Sequence, residues 1–425
     1  MNLVFTPFLE QGFRMLAGVL IFICFTIHQV LLAQGNSFII QNKSGYSRTA
    51  GPVVISRENL KQVVSISEKK TAALYINDEL IPSQMDDLTG DGQWDEIAFQ
   101  ADIERNSELS VRVKWVSAEN APILQAKVYA GLGLKDATAG KFSPVQSEMQ
   151  PDNSGSANLK GRYQYEGPIL ESEKVAFRHI FDDRMFTTAL GKFRPQILKD
   201  TFQLAEGLQS WGMELIPSDS GMGLGGFALE SGGSFRRIQG AGATFYRLLA
   251  NGPVRSVFDL IYEDWEVDGQ MVNVRQRHSI WAGQEGFNCE LTINGFEGEK
   301  DVLVNMPVLA EAAKVENMVL NKAIGALAWH APPNGKRPGH LGLGMLFSKA
   351  GLKAVVLPQD ASVPGGLMRK NAGVKFRITS GQTLEYRYLL GWQKSNEYYG
   401  NAVQFKNVLS QSGNELENPL KISAK

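Results

Sequence analysis

Residues 254–281, VRSVFDLIYEDWEV followed by DG and then QMVNVRQRHSIW, decide the fold. Two long runs rich in β-branched and aromatic residues meet at Asp268-Gly269. That dipeptide favours the type I′ turn of a two-residue hairpin loop, which twists as paired strands twist. The spacing then predicts Val267 opposite Gln270, Tyr262 opposite Arg275 and Asp259 opposite His278. Opposed side chains on neighbouring strands lie close enough to interact. One face of the ribbon is expected to carry Arg255, Asp259, Glu263, Gln276 and His278. The other is expected to carry Phe258, Leu260, Tyr262, Arg275 and Arg277.

Outward from the hairpin the chain reads mainly as strands. Leu109, Val111, Val113 and Trp115 alternate with Ser110, Arg112 and Lys114, the period of a half-buried strand. Shorter runs at 38–40, 53–55, 72–76 and 97–99 complete an N-terminal β-sandwich, predicted over 36–130. The polar, small-residue stretch 131–162 reads as a linker or long loop, and 163–425 as a second, larger domain. Residues 175–190 and 196–209 are the best helix candidates, on modest periodicity. The glycine content, 43 of 425 residues, suits many turns between strands.

The first residues carry an address. Arg14 precedes an apolar run at 15–33 that ends in Leu31-Leu32-Ala33, the form of a secretory signal peptide over 1–33 cut after Ala33. Export to the periplasm or outside the cell follows. A membrane anchor is the alternative, because the run is long enough to span; His28 and Gln29 inside it weigh against that, and no stable span is expected after cleavage. Forty-three basic residues against 44 acidic ones give no basic field, which excludes nucleic acid as a partner. The mature chain keeps one cysteine, Cys289, so it forms no internal disulfide and is held by its core.

Three constellations could carry chemistry. Asp87, Thr89, Asp91 and Asp95 stand at positions 1, 3, 5 and 9 of a Gly-rich loop, as in the first part of a calcium loop. Position 12 lacks the glutamate of an EF-hand, so the loop is either a structural Ca²⁺ site or an ion-free Asx turn. In the second constellation, Glu171, Arg178 and Arg184 suit hydroxyl and carboxylate ligands, or form an ion-paired surface. In the third, a carboxylate beside an imidazole prepares a general base, which nominates Asp259 with His278, and Glu263 as the alternative base. The alternative, a satisfied structural pair on a half-exposed sheet, is the more common arrangement for such residues. Trp211 and other tryptophans could stack on sugar rings, although most tryptophans pack. His330 and His340 flank a Pro- and Gly-rich loop and do not make a metal motif. Gly221–Gly226 lacks the lysine of a phosphate loop.

Asp-Asp-Leu-x-Gly-Asp-Gly-x-Trp-Asp-Glu from Asp86 to Glu96, Glu166-Gly167-Pro168 with Glu171-Ser172 and Arg178, Ser210-Trp211-Gly212-Met213, Gly252-Pro253-Val254-Arg255-Ser256 and Asn418-Pro419-Leu420 occur in that order. Together they resemble the secreted domain-of-unknown-function family numbered 4861. The resemblance covers nearly all of the mature chain. It implies a mainly β fold whose C-terminal part is a supersandwich of galactose-mutarotase-like type, and an exported protein that meets uronate-containing or related oligosaccharides. Ile169-Leu170 and His179 depart from the residues expected there. The resemblance carries over no catalytic residue. Proton transfer at a sugar (mutarotase, isomerase or lyase chemistry) is the expected activity, with Asp259, His278 and Glu263 as acid and base. A non-catalytic sugar-binding or scaffold protein is the alternative.

Overall fold

The computed structural model describes residues 36–424 except 137, 152–160, 183–186, 203–206, 218–221, 239, 312, 336 and 359–369. The expected signal peptide at 1–33 and Arg184 lie outside the described residues. No described helix is long and apolar enough to cross a membrane.

The described chain is mainly β, and its strands pair antiparallel in five sheets. The runs expected in the N-terminal part are strands. Ser107–Val116 buries Val111 and Val113 and exposes Arg112 and Lys114, as its alternation requires. A five-stranded and a three-stranded sheet enclose Phe38, Ile40, Val53, Ile55, Phe99 and Val111. The last member of the five-stranded sheet is Lys421–Ala424, which pairs along Ser37–Asn42 with Ile422 opposite Ile40. The expected boundary, with everything after 163 in the second domain, is therefore wrong at its far end. Leu420 and Ile422 pack on the first core, and their strand covers an edge that would otherwise present unpaired N–H and C=O groups.

The second domain packs a nine-stranded sheet against a six-stranded and a five-stranded one, around a single large apolar core. The hairpin strands Arg255–Val267 and Gln270–Trp281 lie in the nine-stranded sheet. Two strands, Phe142–Val145 and Ser147–Pro151, fall within the stretch expected as a linker, and they edge two of these sheets. The first helix candidate is instead the strands Val175–His179 and Thr187–Lys192, every residue of which is buried. A strand buried on both faces shows no alternation, so its continuous apolar run imitates a helix. The second candidate holds only the 3₁₀ turn Lys199–Thr201 among its described residues.

The one long helix, Ala402–Glu417, starts at Asn401, whose side chain accepts from the N–H of Val403 at 2.8 Å. It buries Phe405, Leu409, Ser412 and Gly413 against the outer side of the nine-stranded sheet. Gly342 and Gly344 make that seat. A Cβ on Gly342 would stand 2.6 Å from Phe405, and one on Gly344 would stand 2.4 Å from Leu409.

The two domains are joined through Arg255. Its guanidinium bonds the carboxylates of Asp86 and Glu96, the latter at 2.5 Å, and lies 5.2 Å over the Trp281 ring. The Gln84 side chain accepts the Arg255 N–H at 2.9 Å and donates to the Arg255 carbonyl at 2.9 Å. Ala98, Val254 and Trp281 close an apolar contact beside it. Removing one member of a buried ion cluster leaves the others charged and unpaired, at a cost of about 3–5 kcal/mol. Arg255→Ala is therefore expected to lower stability by about that amount and to split one denaturant transition into two, read by near-UV circular dichroism.

Candidate functional site

The site lies on the outer face of the nine-stranded sheet, and a local irregularity in the hairpin decides which residues reach it. Asp268 and Gly269 both have positive φ, and Val267 pairs with Gln270, as the turn signal predicts. Further along, Glu263 and Asp264 together oppose Asn273. Asp264 has a φ of 56°, and its N–H donates to the Asn273 side chain at 2.9 Å. This is a β-bulge, and one extra residue moves every later side chain to the other face. Asp259 therefore opposes Arg277, and His278 opposes Phe258.

On the outer face, register aligns Arg247, Asp259, Arg277, Glu290 and Glu385 in one row across five neighbouring strands. Arg277 grips Asp259 through two parallel bonds of 2.8 and 3.0 Å, the bidentate geometry that guanidinium and carboxylate favour. Burial works against the charge on Arg277, but the Asp259 carboxylate holds its pKa above the ordinary value. Glu290 faces the like-charged Glu385. Burial raises the Glu290 carboxyl, Arg277 opposes the rise and Glu385 adds to it.

Two residues along the same face the row gives way to a pocket of about 240 Å³, walled by the helix Ala402–Glu417 and the turn after the hairpin. That turn carries Glu285. Ser172 donates to the Gln284 carbonyl at 2.6 Å, and Glu173 accepts from the Gly283 N–H at 2.9 Å, so the turn between the six-stranded sheet's buried strands fixes it in place. The Tyr399 hydroxyl donates to one Glu285 oxygen, and the Lys174 ammonium lies 3.7 Å from the other. Burial pushes the Glu285 carboxyl up; Lys174 pulls it back and Glu173 adds to the rise. Tyr399 is held by the bond between its carbonyl and His330 Nε2 at 2.8 Å. Opposite stands Arg387, which donates to Asn288 at 2.6 Å and Ser412 at 2.9 Å. Burial lowers its pKa, the charge of Glu415 opposes the fall and Arg48 adds to it. No carboxylate among the described residues forms an ion pair with it, although Glu415 lines the same pocket in an ion pair with Arg48 at 3.8 Å.

The family described as Domain of unknown function (DUF4861) matches residues 40–422. The chain belongs to the DUF4861 family. None of the curated proteins matches it. Two solved structures from Enterococcus faecalis are similar over 92% of this DUF4861 chain at 10% identity. One is a protein in glycosyl hydrolase family 38, with a TM-score of 0.49, and the other an alpha-mannosidase from strain V583, with a TM-score of 0.45. The chain spans 47% and 46% of their lengths.

The expected site residues of this DUF4861 protein are scattered. Asp259 stands on the outer face, but its partner is Arg277 and not His278. His278 is in the core, 2% exposed, its ring 4.3 Å from that of His179 and flanked by Phe258 and Phe287. Glu263 is exposed at the bulge, near the far end of the hairpin. Glu171 has no exposed surface: it binds Lys192 and accepts the N–H groups of Leu198 at 2.7 Å and Lys199 at 2.9 Å. Such a carboxylate anchors a loop and cannot reach a ligand. Arg178 is held between Glu214 at 2.7 Å and Glu166 at 3.2 Å. Trp211 is buried edge-on against Phe202 and offers no face to a sugar.

In the Asp-rich loop, Asp87 accepts the N–H groups of Gly90 at 2.6 Å and Gly92 at 2.8 Å. Asp95 accepts those of Leu88 and Thr89, and Asp91 that of Gln93. Slight burial opposes ionisation of Asp87, yet these donors hold its carboxyl below the usual range. The carboxylates of Asp87, Asp91 and Asp95 accept from the loop's own backbone, and the Thr89 hydroxyl donates to Asp87 at 3.4 Å. No group of three or more His, Cys, Asp or Glu side chains that could hold a metal ion converges among the described residues.

Sequence reading missed Glu285, Tyr399 and Arg387. Two signals were present: the Gly283-Gln284-Glu285-Gly286 turn between two strands, and the alternation of Glu385 and Arg387 with Leu384, Tyr386 and Tyr388.

The histidine in the core has a measurable consequence. Burial pushes His278 down to about 3, whereas an unfolded histidine titrates near ~6.5. Its contribution to stability is complete above about pH 6.5 and is lost as pH falls from there towards 3, by at most about 1.4 kcal/mol per pH unit. His278→Phe is expected to flatten this acid limb in melts taken between pH 7 and 4. An unchanged slope would show that His278 takes up its proton alike in the folded and the unfolded chain.

Proposed function

We propose that this DUF4861 protein is exported and acts on a uronate-containing sugar by proton transfer, in the pocket between Glu285, Tyr399 and Arg387. One observation carries the reading: a guanidinium lines a pocket opposite a carboxyl group whose pKa burial has raised, and it has only neutral hydrogen-bond partners. The nearby Glu415 is already ion-paired with Arg48 and makes no direct bond to Arg387, so the guanidinium is free to hold a ligand's carboxylate bidentately. A carboxyl group whose pKa burial raises above the ordinary value suits general acid and base work. Glu285 would exchange the proton with the sugar, Tyr399 would orient it through the bond to its second oxygen, and Lys174 at the rim would stabilise the carboxylate form.

The apolar run at 15–33 supports export. A large sandwich of three antiparallel sheets is compatible with the galactose-mutarotase-like fold expected of the C-terminal part. A binding protein that reads glycans on a flat aromatic strip is disfavoured, because none of the seven tryptophans is among the exposed large side chains.

The test is a thermal-shift series with saturated and unsaturated uronic acids and their neutral counterparts, followed by an NMR assay for isomerisation or elimination. A ligand that binds only the folded state raises the melting temperature. Uronic acids alone are expected to shift it, and Arg387→Ala is expected to abolish the shift. Glu285→Gln is expected to keep binding and lose turnover. Because a raised carboxyl pKa means that the folded state holds its proton longer, stability falls as pH rises through that range. The same variant should therefore melt higher than the wild type at pH 8. Equal shifts with neutral sugars would overturn the assignment of Arg387.

A further inference from the structure

The pocket and the row beside it bring groups of opposite charge side by side, Arg387 in the one and the facing Glu290 and Glu385 in the other. In the pocket, Lys174 lies 3.7 Å from Glu285, while Arg387 donates to Asn288 and Ser412 and feels the charge of Glu415, which is itself ion-paired with Arg48. In the row, Asp259 stands between Arg247 and Arg277 and is gripped by Arg277, while Glu290 and Glu385 oppose each other with Arg277 and Arg275 acting on Glu290. On the flank, Asp86 and Glu96 share the single Arg255, and the charge of Glu96 reaches Arg277. The members of the row on the strand that lines the pocket and on the strand beside it are two carboxylates, Glu385 and Glu290. Two carboxylates directly opposed on neighbouring strands destabilise a sheet, so packing gives no reason for Glu290 to face Glu385.

The two regions lie on one continuous surface. Glu385 and Arg387 are alternate residues of one strand and point to the same side, about 7 Å apart along the chain. Glu290 stands in the same relation to Asn288, which holds the Arg387 side chain. Arg387 donates to Ser412 on the helix that walls the pocket. A sugar whose carboxylate meets Arg387 therefore has its neighbour in the chain over Glu290 and Glu385. At that spacing, within a Debye length of ~8 Å, like charges repel at physiological salt. A hydroxyl-bearing neutral ring instead donates hydrogen bonds to both carboxylates, which are acceptors when ionised.

We infer that the ligand is a mixed chain in which a uronic acid in the pocket is joined to a neutral sugar lying over Glu290 and Glu385, and that a run of consecutive uronates is rejected. This inference rests on the proposed function of the pocket. It goes further by assigning a second subsite, its residues and its selectivity.

The experiment is calorimetric titration of the whole protein with three probes: a free uronic acid, a disaccharide of a uronic acid and a neutral hexose, and a di-uronate. The mixed disaccharide is expected to bind at least about tenfold more tightly than the di-uronate. Glu385→Gln, an exposed substitution checked for folding by its melting temperature, is expected to narrow that ratio by relieving the repulsion. Equal affinity for the two disaccharides, or a ratio that Glu385→Gln leaves unchanged, overturns the second subsite. The pocket's own role then still stands if the free acid binds and Arg387→Ala abolishes that binding. If none of the three probes binds, the proposed function fails and the inference fails with it.

Discussion

A single backbone N–H, that of Asp264 donating to the Asn273 side chain at 2.9 Å, governs the arrangement of the second domain. It stabilises the bulge that sets Glu263 and Asp264 against one residue of the partner strand. The bulge turns Phe258, Leu260, Tyr262, Val274, Gln276 and His278 into the core, and Asp259, Arg275 and Arg277 outwards. Without it, the regular register would drive two arginines into the apolar layer between the sheets, at a cost no partner there could offset. The row on the outer face, its meeting with Arg255 at the domain boundary and the approach to the pocket all follow from that half-turn of the ribbon.

This explains what the sequence disclosed and what it hid. The Asp-Gly turn was legible because its φ values demand particular residues, and the first pair after it is as expected. The bulge was not, because an aspartate in the left-handed region leaves no glycine to mark it, and the error then passed to every pair beyond it. The exposed-face alternation of Ser107–Val116 was plain, whereas Val175–His179 and Thr187–Lys192, buried on both sides, carry no period. The helix Ala402–Glu417 was missed because its seat is made by glycines in distant strands. The motifs were real features with other purposes. Asp86 and Glu96 bracket the Asp-rich loop and Arg255 belongs to Gly-Pro-Val-Arg-Ser, and these residues meet across the domain boundary. Glu171 and Ser172, adjacent in another motif, anchor a loop and support the turn that carries Glu285.

Several charged groups occupy places where water would be preferred. Lys192 and Glu171 are both fully enclosed; burial lowers the lysine's pKa and the glutamate opposes the fall. The pair is kept by saturation: Lys192 also donates to the carbonyls of Ser172 at 2.6 Å and Gln196 at 2.7 Å. A buried pair contributes little net stability unless its remaining donors and acceptors are met, as they are here. The histidines of the core are different, because they remain neutral and are held by aromatic packing against Phe258 and Phe287. Glu285 lies between these cases: partly covered, bonded by Tyr399 and open to the pocket, it combines burial with access to a proton acceptor.

The strand Lys421–Ala424 imposes an order on events while the chain is being made. Its partner, Ser37–Asn42, leaves the ribosome more than three hundred residues earlier and must wait with one edge unpaired until the strand arrives. Closing so distant a contact is slow, and an open edge invites pairing with other chains in the meantime. The first sandwich is thus finished only when synthesis of the second domain is over, so the nascent chain stays incompletely folded for nearly the whole of its translation.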